Sequence, residues 1–463
     1  MANHTSHRRV RLHALAAATA VALSSMLAAP AMAAGRVDTS GLQTAASHDQ
    51  FIVKYANGSP QHVNVANAKG ALNRALSIGG TPISLGHQRR LAVGADVVLA
   101  NRKLDHAEAE SLMHQLASDP SVEYVEVDAV MRPMLTPNDT NYNLQWHYYE
   151  AIGGLNLPTA WDRATGTGSV VAVIDTGITS HGDLSANVLP GYDFISSAAI
   201  AKDGNGRDAD ASDPGDSTTG QSSWHGTHVA GTIAAVTNNA TGVAGVAFNA
   251  RIVPVRVLGV GGGNLSDVTD GIVWASGGTV TGAPANANPA EVINLSLGSA
   301  GVCSATYQTA INGAVGRGTV VVVAAGNSNA NVANHQPGSC NNVIAVAASD
   351  REGNRASYSN FGTTIDVTAP GGETATASNG VLSTLNAGTS SPGAQAYAYY
   401  QGTSMAAPHV AGVVALMQSI RVQTPAVVES QLRSTARALP GTCTGGCGAG
   451  IVNASAAVNA VTP

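Results

Sequence analysis

The pattern of hydrophobic and polar positions divides the chain into two regions that predict different folds. In the first, short apolar runs of strand length lie around one amphipathic helical pattern. The strand-like runs span 51–55, 95–100 and 121–128, and the helical pattern spans 105–117. Asp105 and Glu108 have the spacing of a capping box at the start of this helix. This region predicts a small α+β domain.

Beyond residue 155 the apolar runs become continuous, rich in Val and Ile, and each ends in small or polar residues. They span 168–178, 251–259, 290–298, 318–327 and 342–350. Helical patterns lie between them at 226–237, 265–277 and 305–318. Continuous apolar runs are typical of strands buried on both faces of a parallel sheet. Alternation of such strands with helices predicts a doubly wound α/β domain with a mainly parallel sheet.

Composition adds a weak constraint on partners. Apolar residues make up 44% of the chain and charged residues only 11%, against roughly 25% charged residues in an average soluble protein. The formal net charge is -6. This balance gives no general attraction for nucleic acid or for anionic membranes, so neither is an expected partner of the mature protein.

The N-terminus has the pattern of a secretory signal. Arg8, Arg9 and Arg11 form a positive start, and an apolar run follows over 14–29. Ala33 ends a small-x-small motif, so we expect cleavage after it, with residues 1–33 as the signal peptide. The alternative is a transmembrane anchor, but the run is short and ends in a cleavage motif. The pattern therefore predicts a secreted protein.

Export permits disulfide bonds between the four cysteines, which allow three pairings. Cys443 and Cys447 flank a Gly-rich loop that could close on itself, which favours Cys303 with Cys340 as the other pair. A zinc site is the alternative, but no histidines cluster near these cysteines.

Three polar residues stand where the apolar patterns begin or end. Asp175 ends a predicted buried strand, whereas His225 and Ser404 begin predicted helices. A serine hydroxyl is a poor nucleophile unless a base takes its proton, and a histidine serves best as base when a carboxylate fixes its tautomer. The alternative for Ser404 alone is an ordinary helix cap.

The segments VIDTGI, HGTHVAGT and GTSMAAPHVAG resemble the three signature segments of the subtilisin family of serine proteases, in the same order. The resemblance implies that Asp175, His225 and Ser404 form a catalytic triad, with His228 packed elsewhere. Their order and the absence of a G-x-S-x-G elbow disfavour an α/β-hydrolase. The segment VVAAGN resembles the oxyanion segment of the family, so Asn327 would donate to the oxyanion together with the Ser404 backbone N–H.

The resemblance also implies where a peptide substrate would bind as an added strand. The backbone edges and the first specificity pocket would be formed by Gly261, Gly262, Ser296, Leu297, Gly298, Ala324, Ala325 and Gly326. No acidic residue lies between 299 and 349 to bind a basic side chain. We therefore expect large apolar or neutral side chains to be preferred.

Residues 34–135 resemble the inhibitory propeptides of the family, so the chain would be an intramolecularly inhibited zymogen. Cleavage between Leu135 and Thr136 would place an apolar residue in the first pocket and leave residues 136–463 as the catalytic domain. Resemblance further implies a monomeric enzyme acting on proteins and peptides. The alternatives are an inactive relative that serves as a binding module and a structural protein in which Ser404 only caps a helix.

Two acidic features suggest structural calcium. The run 203–216 contains five aspartates interleaved with Gly and Pro, which let a chain fold around an ion: Asp203, Asp208, Asp210, Asp213 and Asp216. A solvated loop is the alternative for this run. By resemblance, Asp183 matches a family calcium ligand, and residues 237–243 match the loop that completes that site.

Overall fold

The computed structural model describes residues 35–42, 47–73, 76–130 and 135–462. The predicted signal peptide, 1–33, lies outside these residues. The chain divides into two compact units. The first contains the described residues up to Asp128 apart from Ser47, and the second contains Ser47 and the described residues from Ala129 onward.

The first unit is a small α+β domain. Its strands are β1 (Arg36–Asp38), β2 (His48–Tyr55), β3 (Leu76–Ile78), β4 (Thr81–Ile83), β5 (Leu85–Arg90), β6 (Ala95–Leu104) and β7 (Val122–Val127). Its helices are α1 (Pro60–Val63), α2 (Val65–Leu72) and α3 (His106–Ala117). The main sheet has the order β1-β7-β2-β6-β5, and β3 and β4 form a separate pair.

The predicted elements of this unit are present, and its helix begins as the sequence indicates. Asp105 accepts a hydrogen bond from Glu108 N at 2.9 Å, and Glu108 accepts one from Asp105 N at 3.2 Å, which completes the capping box. Leu112 and Leu116 are buried in the core of the unit. The sequence patterns did not predict α1, α2, β1, β3, β4 and β5, because each of these short elements buries at most two residues.

The second unit is built on a larger sheet. Its strands are β8 (Val170–Asp175), β9 (Tyr192–Asp193), β10 (Arg251–Arg256), β11 (Val292–Leu295), β12 (Ser299–Ala300), β13 (Val320–Ala324), β14 (His335–Gln336), β15 (Ile344–Ser349), β16 (Val367–Pro370), β17 (Val381–Asn386) and β18 (Gln395–Tyr400). Its helices are α4 (Trp146–Tyr149), α5 (Pro158–Trp161), α6 (Ala198–Ala201), α7 (His225–Ala234), α8 (Leu265–Ala275), α9 (Ala305–Gly316), α10 (Thr403–Ile420), α11 (Pro425–Thr435) and α12 (Ala454–Ala460). Short 3-10 turns lie at Tyr142–Leu144, Ser185–Asn187, Val332–Asn334 and Ala377–Asn379.

The central sheet has the order β16-β15-β13-β11-β8-β10-β9, and its neighbouring strands are parallel. Both faces are covered. Along β8, Val171 and Val173 join the core that contains α7 and α10, whereas Ala172 and Ile174 join the core that contains α8 and α9. The prediction of a doubly wound parallel sheet is therefore confirmed.

The favoured disulfide pairing is also confirmed, with bonds Cys303–Cys340 and Cys443–Cys447. The first bond joins the chain after β12 to the chain after β14, and these two strands pair antiparallel. In the described part of the chain, no single helix is long and apolar enough to cross a membrane; α10 and α11 reach that length and composition only as a pair bent by 115°.

Candidate active site

The predicted catalytic residues lie at the ends of elements in the second unit. Asp175 is the last residue of β8, and Asn327 follows β13 by three positions. His225 is the first residue of α7, and Ser404 is the second residue of α10. Strand carboxyl ends in a parallel sheet share one edge, which is where ligands bind in open α/β folds.

The structure joins Asp175 directly to His225. The imidazole Nδ1 lies 2.8 Å from Oδ1 and 3.0 Å from Oδ2 of Asp175. The carboxylate is fully buried, whereas the His225 side chain is 20% exposed. Because a carboxylate can only accept, Nδ1 carries the hydrogen and Nε2 keeps its lone pair. Thr176 N also donates to Asp175 Oδ1, at 2.7 Å.

This pairing changes the basicity of His225. Burial alone would lower the pKa of the imidazole, because it penalises the charged form. The charge and hydrogen bond of Asp175 outweigh burial, with smaller contributions from Asp216 and Asp213, so that the pKa of His225 is raised. His225 is thus a stronger base than a free histidine.

Ser404 is not a helix cap. The N-cap position of α10 is Gly402, and no side chain caps this helix end. Gly402 has φ +149°, a conformation that a side chain would strain. The Ser404 hydroxyl donates to the carbonyl of Ser296 at 3.1 Å, and in this structure it does not bond to His225. Its backbone N–H lies in the first turn of α10, where helix N–H groups have no partner within the helix.

Asn327 is oriented by the residue before Ser404. Its Oδ1 accepts hydrogen bonds from Thr403 N at 2.9 Å and from Thr403 Oγ1 at 2.8 Å. Its Nδ2 group makes no hydrogen bond within the described residues, and it lies 3.4 Å from the position of a Cβ built on Gly402. Thr403 was not predicted as a site residue, although its hydroxyl directly before Ser404 was the available signal in the sequence.

His228 packs in the interior, as expected. Its Nε2 contacts the carbonyl oxygens of Val381 and Ala398 at 3.1 and 3.0 Å. Burial lowers the pKa of His228 to about 3, so it is neutral at neutral pH.

A cleft of about 630 Å³ extends from His225 across the sheet edge. It is lined by five of the predicted substrate-binding residues, namely Gly261, Gly262, Ser296, Leu297 and Gly298. The other three do not line it. The side chains of Ala324 and Ala325 are buried in the two hydrophobic cores, because they still alternate across the sheet where β13 ends.

A histidine lies between the two glycines predicted at the first pocket. A Cβ on Gly298 would lie 2.8 Å from His335 Nε2, and a Cβ on Gly326 would lie 2.5 Å from the same atom. His335 is half-buried, and its ring nitrogens make no hydrogen bond within the described residues. His335 was not predicted from the sequence, because it belongs to no motif and reaches this position only through the pairing of β12 with β14.

The five carboxylates of the predicted metal loop, 203–216, do not gather around a common position. Each carboxylate has its own protein partner; Asp203 pairs with Arg256 at 2.7 Å, and Asp208 accepts from Asn205 Nδ2 at 2.7 Å. Within the described residues, no three His, Cys, Asp or Glu side chains are grouped as metal ligands. The structure therefore does not bring Asp203, Asp208, Asp210, Asp213 and Asp216 together as a calcium site.

Asp183 lies in a different environment, against the 237–243 loop. Its carboxylate accepts hydrogen bonds from Asn239 Nδ2 at 2.6 Å and from Val243 N at 2.8 Å. Burial raises its pKa to about 6, and the charge of Asp139 contributes. Asp139 is itself 5% exposed, and its Oδ1 is buried without a hydrogen-bond partner. Two desolvated carboxylates with an unsatisfied oxygen fit a bound cation.

Comparison with known proteins identifies the family. The model of the subtilase family matches residues 166–450. An extracellular protease of Xanthomonas campestris pv. campestris is 57% identical over 98% of this chain and 80% of its own length. An extracellular basic protease of Dichelobacter nodosus is 43% identical over 89% of this chain and 70% of its own. A solved protease structure from Pseudoalteromonas arctica is 61% identical, covers 71% of this chain and all of the solved one, and superposes with a TM-score of 0.70. The chain therefore belongs to the subtilase family of serine proteases.

Proposed function

We propose that this protein is a secreted endopeptidase, made as a zymogen, that hydrolyses peptide bonds with Ser404 as nucleophile and His225 as base. The observation that carries this proposal is the hydrogen bond between His225 and the buried Asp175. That bond leaves Nε2 as the acceptor, and Ser404 bonds to a residue of the cleft that His225 lines. Secretion is supported by the signal pattern and by the extracellular relatives.

In the reaction, the Ser404 hydroxyl turns from the Ser296 carbonyl to His225 Nε2. As Oγ attacks the substrate carbonyl carbon, Nε2 takes its proton, and Asp175 stabilises the resulting imidazolium. The same proton is then given to the leaving amine, which breaks the peptide bond. Water repeats the sequence on the acyl-enzyme and restores the free hydroxyl of Ser404.

The oxyanion formed by this attack needs donors that are already in place. Asn327 Nδ2 and the Ser404 backbone N–H are suited to this, because neither donor has an acceptor among the described residues, and both lie near Gly402. Thr403 fixes the amide of Asn327 through its oxygen, so the nitrogen side is the one presented. Donors held in advance stabilise the developing charge without reorganisation.

The substrate lies extended along the cleft, with backbone contacts to Gly261, Gly262 and the segment Ser296–Gly298. The side chain of the residue before the cleaved bond lies beside Gly298, and the pocket ends at His335, whose ring occupies the gap between Gly298 and Gly326. With no acidic residue in 299–349, the pocket favours neutral side chains. His335 limits their size, which refines the expectation of large side chains.

Residues 34–135 act as the inhibitory propeptide. The compact first unit, with its own hydrophobic core, supports a separately folded domain. Cleavage after Leu135 releases the mature enzyme; residues 131–134 of this junction lie outside the described part. Leu135 packs against the α7–α10 core of the second unit, and it is not among the cleft residues.

Calcium would be held by Asp183 and Asp139, with oxygens of the 237–243 loop. The ion would neutralise two carboxylates that otherwise remain desolvated, and its role would be structural. Because it binds the folded state, it stabilises that state by mass action.

The first test replaces Ser404 by Ala. In a host without proteases, the wild type should separate near residue 135 and hydrolyse casein, whereas the Ser404→Ala protein should stay uncut and inactive. Ser434→Ala, an exposed serine on α11, is the matched control and should behave as the wild type. Cutting of both wild type and Ser404→Ala would disprove self-cleavage. A wild type that is neither cut nor active would favour the binding-module alternative.

The second test concerns His335. With tetrapeptide anilides that differ in the residue before the cleaved bond, His335→Ala should raise kcat/KM for Phe relative to Ala by about tenfold, because the pocket lengthens. Asn334→Ala, at the exposed residue directly before His335, should leave the ratio unchanged. An unchanged Phe-to-Ala ratio in His335→Ala would show that the ring does not bound the pocket.

The third test concerns calcium and uses the inactive Ser404→Ala background, so that autolysis does not intervene. Excess EDTA should lower the melting temperature by about 5 °C or more relative to saturating calcium. Asp139→Asn should remove most of this difference, whereas Asp208→Asn in the 203–216 loop should keep it. Equal melting temperatures with and without calcium, and no calcium by elemental analysis, would exclude the site.

A further inference from the structure

The last two aspartates of the 203–216 run lie against the segment that carries His225. Asp216 lines the same cleft as His225, and Asp213 is 2% exposed beneath it. Neither has the surroundings of a metal ligand, since both are satisfied by protein donors. Asp216 binds Ser223, two residues before His225, and Asp213 binds Thr176, which in turn binds Gly226, the residue after His225.

Asp213 holds the residue after His225 through one hydroxyl. Thr176 Oγ1 donates to Asp213 at 2.7 Å, and the same oxygen accepts from Gly226 N at 3.0 Å. The Thr176 hydroxyl has one hydrogen, and Asp213 accepts it. Only the lone pairs of this oxygen are then left to face Gly226 N. Thr176 N meanwhile donates to Asp175 at 2.7 Å. One residue thus links the buried aspartate, the carboxylate of Asp213 and the peptide next to the base.

Asp216 holds the residues before His225. It accepts from Ser223 N at 2.7 Å and from Ser223 Oγ at 2.5 Å. Trp224 follows with φ 51°, a left-handed conformation that is uncommon outside glycine and must be kept by its surroundings. Tyr400 OH donates to the Ser223 carbonyl at 2.8 Å and holds the other side of that residue. The entry into α7 is therefore fixed from both sides.

The charges around His225 are unbalanced. On β8 and on the 203–216 loop it faces three carboxylates, those of Asp175, Asp213 and Asp216. On α7 its neighbour His228 is neutral at neutral pH, because burial lowers the pKa of His228 to about 3. On β18 the phenol of Tyr400 stacks on His228 and bonds to Ser223, and its pKa is raised by burial and by Asp216.

The nearby cations Lys202 and Arg256 bind other groups on and around the same loop. The Lys202 amine donates to backbone carbonyl oxygens of Pro214, Gly215, Ser217 and Ser390. Arg256 binds Asp193 and Asp203. No lysine or arginine is paired with Asp213 or Asp216 among the described ion pairs. Burial raises the pKa of Asp213 to about 6, although the charge of Arg256 opposes this, so the negative charge of Asp213 is present mainly above that pH. The charges of Asp213 and Asp216 act on the imidazole.

We propose that Asp213 and Asp216 are positioning residues for the base: they fix both flanks of His225, and their charge stabilises the imidazolium that forms when His225 takes the Ser404 proton. This inference rests on the proposed role of His225. It gives the acidic run a function at the active site in place of metal binding.

The test compares pH profiles of Asp216→Asn and Asp213→Asn with the wild type. Both should lower kcat by about tenfold with KM within about twofold, as expected for a misplaced base. Removing a negative charge favours neutral imidazole, so the acidic limb of kcat/KM should move to lower pH. Ser223→Ala should lower kcat without moving this limb, because it removes a hydrogen bond and no charge.

Asp210→Asn is the matched control, since Asp210 is exposed on the same loop and bonds to Ser212. This substitution should change neither kcat nor the pH of the acidic limb of kcat/KM. Melting temperatures verify folding; if the buried Asp213→Asn fails to fold, the more exposed Asp216→Asn decides the matter.

An unchanged acidic limb in Asp216→Asn would overturn the proposal. Loss of a bound calcium ion from Asp216→Asn, measured by elemental analysis, would also overturn it and restore the loop as a metal site. A wild type without hydrolytic activity would refute the proposed function itself, which separates the two failures.

Discussion

The rest of the site depends on one buried charge. Asp175 has no exposed surface, and a carboxylate removed from water is costly unless hydrogen bonds or an opposite charge compensate. Here the compensation comes from Thr176 N and from His225 Nδ1. The same contacts fix the tautomer and direction of the imidazole. The hydrogen bonds that satisfy the Asp175 carboxylate therefore also orient the base. They form where β8 ends and α7 begins.

The sheet supplies the geometry that makes this possible. Its parallel strands deliver Asp175, the Ser296 carbonyl and Asn327 to one edge, from β8, β11 and β13. The helices contribute their N-terminal ends, which present unpaired N–H groups. Because both faces of the sheet are buried in separate cores, these strand ends have little freedom to move apart. Glycines at 298 and 402 then allow close approach of backbone where a Cβ would collide or strain the chain.

Local features could be predicted from the sequence, and contacts between distant segments could not. Asp175, His225 and Ser404 each stand at a boundary between apolar periodicity and polar residues, so their positions at element ends followed from pattern, whereas their grouping as a triad was implied by the family resemblance. β9 was missed because it has only two residues. His335 reaches Gly298 through a pairing of strands of two residues each, which no periodicity reveals. The sequence predicted a calcium site at the aspartates of 203–216, because composition does not show that each aspartate has a separate protein partner.

The most direct measurement of the central claim is covalent labelling by diisopropyl fluorophosphate, followed by peptide mass spectrometry. An activated serine attacks the phosphorus and expels fluoride, whereas an ordinary hydroxyl does not react. The account predicts one adduct on the mature protein, located on Ser404, and no adduct in a His225→Ala protein whose propeptide has been removed by an added protease. An adduct on another serine, or hydrolysis of casein by a protein that takes up no label, would contradict it.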